Sequence, residues 1–240
     1  MIAGADDIWV YLSQAPLFWL TATLVAYGAG HWCYERSGGN PIVNPVAIAA
    51  ALLIGLLTAT GTPYAVYFDG AQFVHFMLGP ATVALAVPLF RHLPRVKATL
   101  LPMLAALVAG AATAVGVALV VAGLMGASRE TLLSLAPKSV TTPIAMGVAE
   151  SIGGLPSLTA SLVVATGIIG AILVTPLFNG VGLKDWRARG FAVGVAAHGL
   201  GAARAFQVNQ IAGVFAAIAM GLNGLVTALV APLIVHFLPG

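Results

Sequence analysis

Eight long apolar runs dominate the chain, separated by breaks at proline, glycine and charge clusters: 16–34, 44–61, 71–90, 98–125, 131–152, 156–178, 190–206 and 211–237. Most approach the ~20 residues that a helix needs to cross a bilayer. No run alternates apolar and polar residues as a barrel strand does, and backbone in lipid must bond to itself, so each is expected to be helical. The fifth run is unlike the others. It contains Pro137, Lys138, Pro143 and Glu150 and is followed by Gly153-Gly154, a pattern that predicts a re-entrant hairpin or two half-helices. The seventh run holds His198 and Arg204, and Gly79-Pro80 interrupts the third.

Composition removes the alternatives. Charged residues make up 7% of the 240 residues and apolar types 60%, and the mean hydropathy is +1.02. A soluble domain carries roughly 25% charged residues, and disordered chains are polar and charged. Cys33 is the single cysteine, which excludes an intrachain disulfide framework. A net charge of +3 without a basic stripe argues against a nucleic-acid partner. Asp6 and Asp7 precede the first run, unlike the basic start of a signal peptide, so the mature chain is expected to start at Met1. The expected fold is an all-α integral membrane protein with about seven to nine helical segments, broken or re-entrant helices among them.

Basic residues flank the spans at Arg36, at Arg91, Arg95 and Lys97, and at Lys184, Arg187 and Arg189. Lys and Arg mark the cytoplasmic side. Two crossings separate the first two clusters, and three apolar segments separate the second from the third. The last pair shares a side when run 131–152 does not cross. The expected organisation is an N-terminal span and connection (1–43), a first half (44–126) broken near Gly79-Pro80, and a second half (127–240). The second half carries the re-entrant segment 131–156 and the His198/Arg204 helix. Pro80-Ala81-Thr82-Val83 and Pro137-Lys138-Ser139-Val140 repeat the pattern Pro-x-hydroxyl-Val. Paired interrupted helices in two halves point to an inverted-repeat, elevator-like transporter.

Candidate chemistry centres on P-K-S-V-T-T-P-I-A-M, from Pro137. A lysine within an apolar segment must snorkel, pair or line a wet cavity. Ser139, Thr141 and Thr142 surround Lys138 with hydroxyls, a set suited to a small carboxylate; the alternative is a lysine at the interface. Glu150 is the candidate for coupling, or for an ion pair with Lys138. Gly153-Gly154-Leu155-Pro156-Ser157-Leu158-Thr159 reads as a turn opening a helix, whose N-terminus suits an anion or is simply capped by Ser157 or Thr159. His198 and Arg204 lie among Gly194, Ala197, Gly201 and Ala205, small residues that admit a neighbouring backbone or a ligand. Arg204 is a candidate carboxylate partner or a snorkelling end residue. Thr82, beside the Gly79-Pro80 break, is the candidate from the first half, and a simple kink is its alternative. No P-loop, H-E-x-x-H or G-x-S-x-G occurs, so no enzyme activity, catalytic residue, cofactor or metal is expected.

Several strings are similar to one family. N-P-V-A-I at Asn44, G-x-Q-F-x-x-F-x-L-G-P-A-T-V-A-L-A-V-P-L from Gly70, P-K-S-V-T-T-P-I-A-M from Pro137 and I-G-G-L-P-S-L-T-A from Ile152 closely resemble the LrgB/CidB family over residues 44–238. Its members are labelled antiholin-like or regulators of murein hydrolase export. The resemblance implies a small holin-like partner of the LrgA/CidA type and a place in the cytoplasmic (inner) membrane. Plastid relatives carry glycolate and glycerate, and some bacterial members are linked to pyruvate. The family commonly reads A-S-H-A-I-G-T-A-K/R-A where this chain has Ala196-Ala197-His198-Gly199-Leu200-Gly201-Ala202-Ala203-Arg204-Ala205. The histidine and basic residue remain, both hydroxyls are absent, and Gln207 and Gln210 stand where acids are common.

The leading expectation is a secondary transporter of small 2-hydroxy- or 2-oxo-monocarboxylates. The alternative is a non-transporting regulator of holin-like pores and murein hydrolase export, and a passive pore is third. A homodimer or higher oligomer is expected, with Gly110, Gly116 and Gly123 as one candidate face.

Overall fold

A computed structural model describes residues 16–77, 80, 84, 90, 91 and 93–236. Gly79 and Thr82, and with them the expected break of the third run, lie outside these residues; Pro80 is described as helical and exposed. The described residues form helices and no strand. The chain divides into two compact units, Met1–Ala86 and Val87–Gly240.

The first unit contains α1 (Pro16–Arg36), α2 (Pro45–Thr60) and α3 (Tyr64–Phe76). The caps of α2 follow from sequence. The Asn44 side chain accepts the N–H groups of Val46 and Ala47, and Gly61 ends the helix in the left-handed region at φ 63°, which costs glycine nothing. Trp19 on α1 is fully buried and packs edge-on against Tyr67 of α3. Gly70 gives the clearance: a β-carbon there would meet Pro16 O at 2.6 Å. The helix of the third run starts at Tyr64, earlier than residue 71, and includes Asp69.

The second unit contains α4 (Leu93–Ala98), α5 (Leu100–Leu124), α6 (Arg129–Leu135), α7 (Thr142–Ile152), α8 (Pro156–Gly180), α9 (Trp186–Val208) and α10 (Gln210–His236). Helices α5, α8 and α10 are long and apolar enough to cross a membrane. At 1.5 Å per residue each exceeds the ~30 Å hydrocarbon core. Asp185 caps α9 by accepting the Arg187 N–H at 2.8 Å. The Arg187 guanidinium beside it holds the Asp185 carboxyl below the usual carboxylate range.

Cross-helix contacts fix the directions inside this unit. Met103 and Leu107 of α5 share one cluster with Phe215 and Ala219 of α10, and Val115 and Leu119 share another with Ala231. Helices α5 and α10 therefore run parallel. Helix α8 runs against the start of α9, since Arg189 bonds Asn179 at 2.7 Å and a β-carbon on Gly170 would meet that of Ala197. Thr99 lines the same cavity as Asp185 and Arg187, so the start of α5 and the start of α9 lie at one end. Lys97 and Lys184, which adjoin them in sequence, share that end. This agrees with a segment between α5 and α8 that does not add a crossing.

Candidate functional site

The run 131–152 folds as two half-helices. α6 has 7 residues and α7 has 11, lengths of ~10 and ~16 Å that cannot cross alone. Between them, 136–141 is non-helical. Pro143 sits in the first turn of α7, where its missing N–H costs nothing. The two arms return to one another. Ser134 Oγ accepts the Leu155 N–H at 2.8 Å and donates to Glu130 O at 2.7 Å, and Thr159 donates to Ser134 O at 2.9 Å. Gly153, at φ 87°, ends α7 in the left-handed region. A β-carbon on Gly154 would meet Ser134 N at 2.8 Å, so both glycines serve the base of this hairpin. Ser134→Ala removes the Leu155 acceptor, and we expect it to lower stability by about 1–2 kcal/mol, read as a lower melting temperature in detergent. An unchanged melting curve would refute this role.

The seventh run, expected as one helix, is broken as well. Ala197 and His198 leave helical geometry, and His198 adopts φ 42°, ψ −136°, a region that non-glycine residues rarely occupy. Helix α9 is thus two halves, 186–196 and 199–208, joined at a sharp tip. A β-carbon on Gly201 would meet Val193 O at 2.9 Å. In a continuous helix these residues stand ~12 Å apart, so the second half folds back on the first. Val193, Ala205 and Ala212 share one cluster near the hairpin base.

The two hairpins approach from opposite ends of α10. Gly190 and Gly194 pack on Ala212 and Ala216 near its start, whereas Leu133 and Val148 cluster with Ala231 near its finish. Their tips meet beside Asn223. This fully buried amide donates to Ser139 O at 3.3 Å in the first tip and to Val195 O at 3.0 Å beside the second. Its own oxygen accepts from Thr227 at 3.4 Å. Val163 of α8 links the same tips: its side chain packs on Val140 and Ala145, and its carbonyl accepts from His198 Nε2 at 2.9 Å.

The expected site residues separate into two groups. Lys138, Ser139, Thr141 and Thr142 lie at or beside the first tip, and Lys138 is half-buried with its ammonium donating to Ser139 Oγ at 3.1 Å. His198 is the second tip. Ser157 and Thr159 instead stand at the base of the first hairpin, Ser157 exposed and Thr159 buried. Glu150 is exposed, ~12 Å along α7 from its start, and makes no ion pair with Lys138 among the described residues. Arg204 shares a small cavity of about 20 Å³ with Arg189, Trp186 and Val208, at the base of the second hairpin. Neither this cavity nor the larger one along α5 has Lys138 in its wall. Asn223, Ser134 and Thr227 were missed. An amide inside the otherwise apolar Gly221-Leu222-Asn223-Gly224 stretch was the available signal.

Each tip joins the C-terminus of one half-helix (α6, or 186–196) to the N-terminus of the next (α7, or 199–208), so partial charges of opposite sign adjoin there. Thr141 caps α7 without a side-chain hydrogen bond, and Lys138 adds a full charge.

Apolar spans packed with two broken hairpins, whose tips bring buried polar groups together at Asn223, define a polytopic helical membrane protein with an intramembrane polar centre. The chain belongs to the LrgB-like family, whose model matches residues 23–237. It is 31% identical over 226 residues to the antiholin-like protein LrgB of Bacillus mycoides (strain KBAB4), covering 94% of this chain and 98% of that relative. The antiholin-like proteins LrgB of Bacillus cereus (strain B4264) and Bacillus anthracis (strain CDC 684 / NRRL 3495) match with the same identity and coverage. No solved structure matches.

Proposed function

We propose that this protein is a secondary transporter of small 2-hydroxy- or 2-oxo-monocarboxylates, such as glycolate, glycerate or pyruvate. The observation that carries the reading is the meeting of two oppositely directed hairpins at Asn223. Half-helix N-termini aimed at the middle of a bundle are the arrangement by which carriers hold anionic groups. In this reading Lys138 supplies the charge, Ser139, Thr141 and Thr142 supply directed hydrogen bonds, and His198 lines the opposite side. Thr159 fixes the hairpin base through its hydrogen bond to Ser134 O, and Arg204 lies at the base of the second hairpin. Glu150 is the carboxylate assigned to coupling. The chain has seven to nine segments in an elevator-like arrangement in the cytoplasmic (inner) membrane, as a homo-oligomer.

Uptake into liposomes tests this directly. Labelled glycolate or pyruvate should accumulate with the purified chain, and Lys138→Ala should lower the rate at least tenfold while melting within a few degrees of the parent. Full uptake by a folded Lys138→Ala would remove the lysine from the mechanism.

The second reading rests on the relatives' name, antiholin-like. It makes the chain a regulator that binds a small holin-like membrane protein of the LrgA/CidA type. Millimolar carboxylate should raise the melting temperature of a carrier by ligand linkage. A scaffold that binds only protein should not respond.

A further inference from the structure

A groove of about 710 Å³ runs along the second unit between α5 and the first half of α9. One wall carries Ala106, Gly110 and Ala114, and the other Ala188, Ala192 and Ala196. Both are four-residue repeats of small side chains, a pattern that also serves helix pairing, so the charge at the groove's ends decides the occupant. The α9 wall, from Asp185 to Ala196, is ~16 Å long, which is about half the thickness of the hydrocarbon core and so the depth of one leaflet.

The ends of the groove differ. One end holds Thr99, Asp185 and Arg187, with exposed Lys97 and Lys184 adjoining in sequence. Asp185 pairs with Arg187 at 2.7 Å and cancels one of the three cations. The other end carries no charge, with Thr113 its one polar side chain among Gly110, Ala114 and Ala196. A slot that is basic at one end and uncharged for one leaflet's depth matches an anionic lipid, because basic pockets between spanning helices hold lipid headgroups.

We propose that this groove seats an acyl chain of an anionic glycerophospholipid, with its headgroup held at the Lys97, Lys184 and Arg187 end. The inference is independent of the carrier reading, since the groove has neither Lys138 nor His198 in its wall.

Native mass spectrometry of the full chain, released from nanodiscs of equimolar phosphatidylglycerol and phosphatidylcholine, tests it. One phosphatidylglycerol should be retained per chain, with about a tenfold preference over phosphatidylcholine. Lys97→Gln with Lys184→Gln, both exposed positions, should reduce the preference to about one while lipid is still retained. Ala109→Phe with Ala192→Phe fills the groove from exposed wall positions and should abolish retention of either lipid. Equal retention of the two lipids by the parent, an undiminished preference in the lysine variant, or undiminished retention in the filled variant would each overturn the proposal. So would a dimer that only the filled variant dissociates, which would assign the groove to a second copy.

Discussion

Asn223→Leu should disable this protein more than any other single conservative-volume change. The leucine fits the space but donates nothing, so Ser139 O and Val195 O both lose their shared partner, and Thr227 loses its acceptor. Hydrogen bonds between membrane helices average under 1 kcal/mol each, but a buried carbonyl left without a donor adds ~1–3 kcal/mol. The expected loss is about 2–4 kcal/mol, seen as a clear fall in melting temperature, with uptake reduced at least tenfold. Asn223→Asp separates shape from donation. It keeps the outline and removes the only donor that two acceptors share, so it should be at least as damaging as leucine. Parent-like melting and uptake in both variants would show that the tips hold their positions without the amide.

Gly194→Leu should be the second severe change. A β-carbon at Gly194 overlaps Ala216 O and would stand 2.8 Å from both Ala216 Cα and Ala219 Cβ. These are backbone and β-carbon atoms that cannot rotate away, so the first half of α9 must leave α10. Overpacking a close contact costs ~1–3 kcal/mol and sometimes more, and leucine lies at the upper end. Gly194→Ala should fall near the middle of that range. Gly221→Ala on α10 is the control, because nothing lies within 4 Å of its added carbon, and we expect a change within about 0.5 kcal/mol. Equal melting temperatures for Gly194→Leu and Gly221→Ala would overturn the packing argument.

The apolar runs were legible because hydropathy and proline-glycine punctuation are local signals. They place α5, α8 and α10 within a few residues of their observed ends, and Asn44 and Gly61 announce the caps of α2. The half-helices around Pro137 were legible for the same reason. The break at Ala197-His198 was not, because it rests on a histidine in backbone geometry that glycine prefers, held from outside by Val163 O. The conspicuous charges Glu150 and Arg204 were legible as ionisable groups, but their distance from the tips follows only from the fold. Asn223 was visible as an amide in an apolar helix, but its partners are 84 and 28 residues away in sequence, and only the fold brings them together. Of the three glycines on α5, Gly110 faces Val195 within the chain, whereas Gly116 and Gly123 have open surroundings.

Because the hairpins enter from opposite ends of α10, their tips meet beside Asn223, near the middle of that helix. Under the carrier reading proposed above, a monovalent anion bound there would sense about half of a transmembrane voltage, ~1.2 kcal/mol per 100 mV. Its entry from one face and exit to the other would then share the electrical work almost equally.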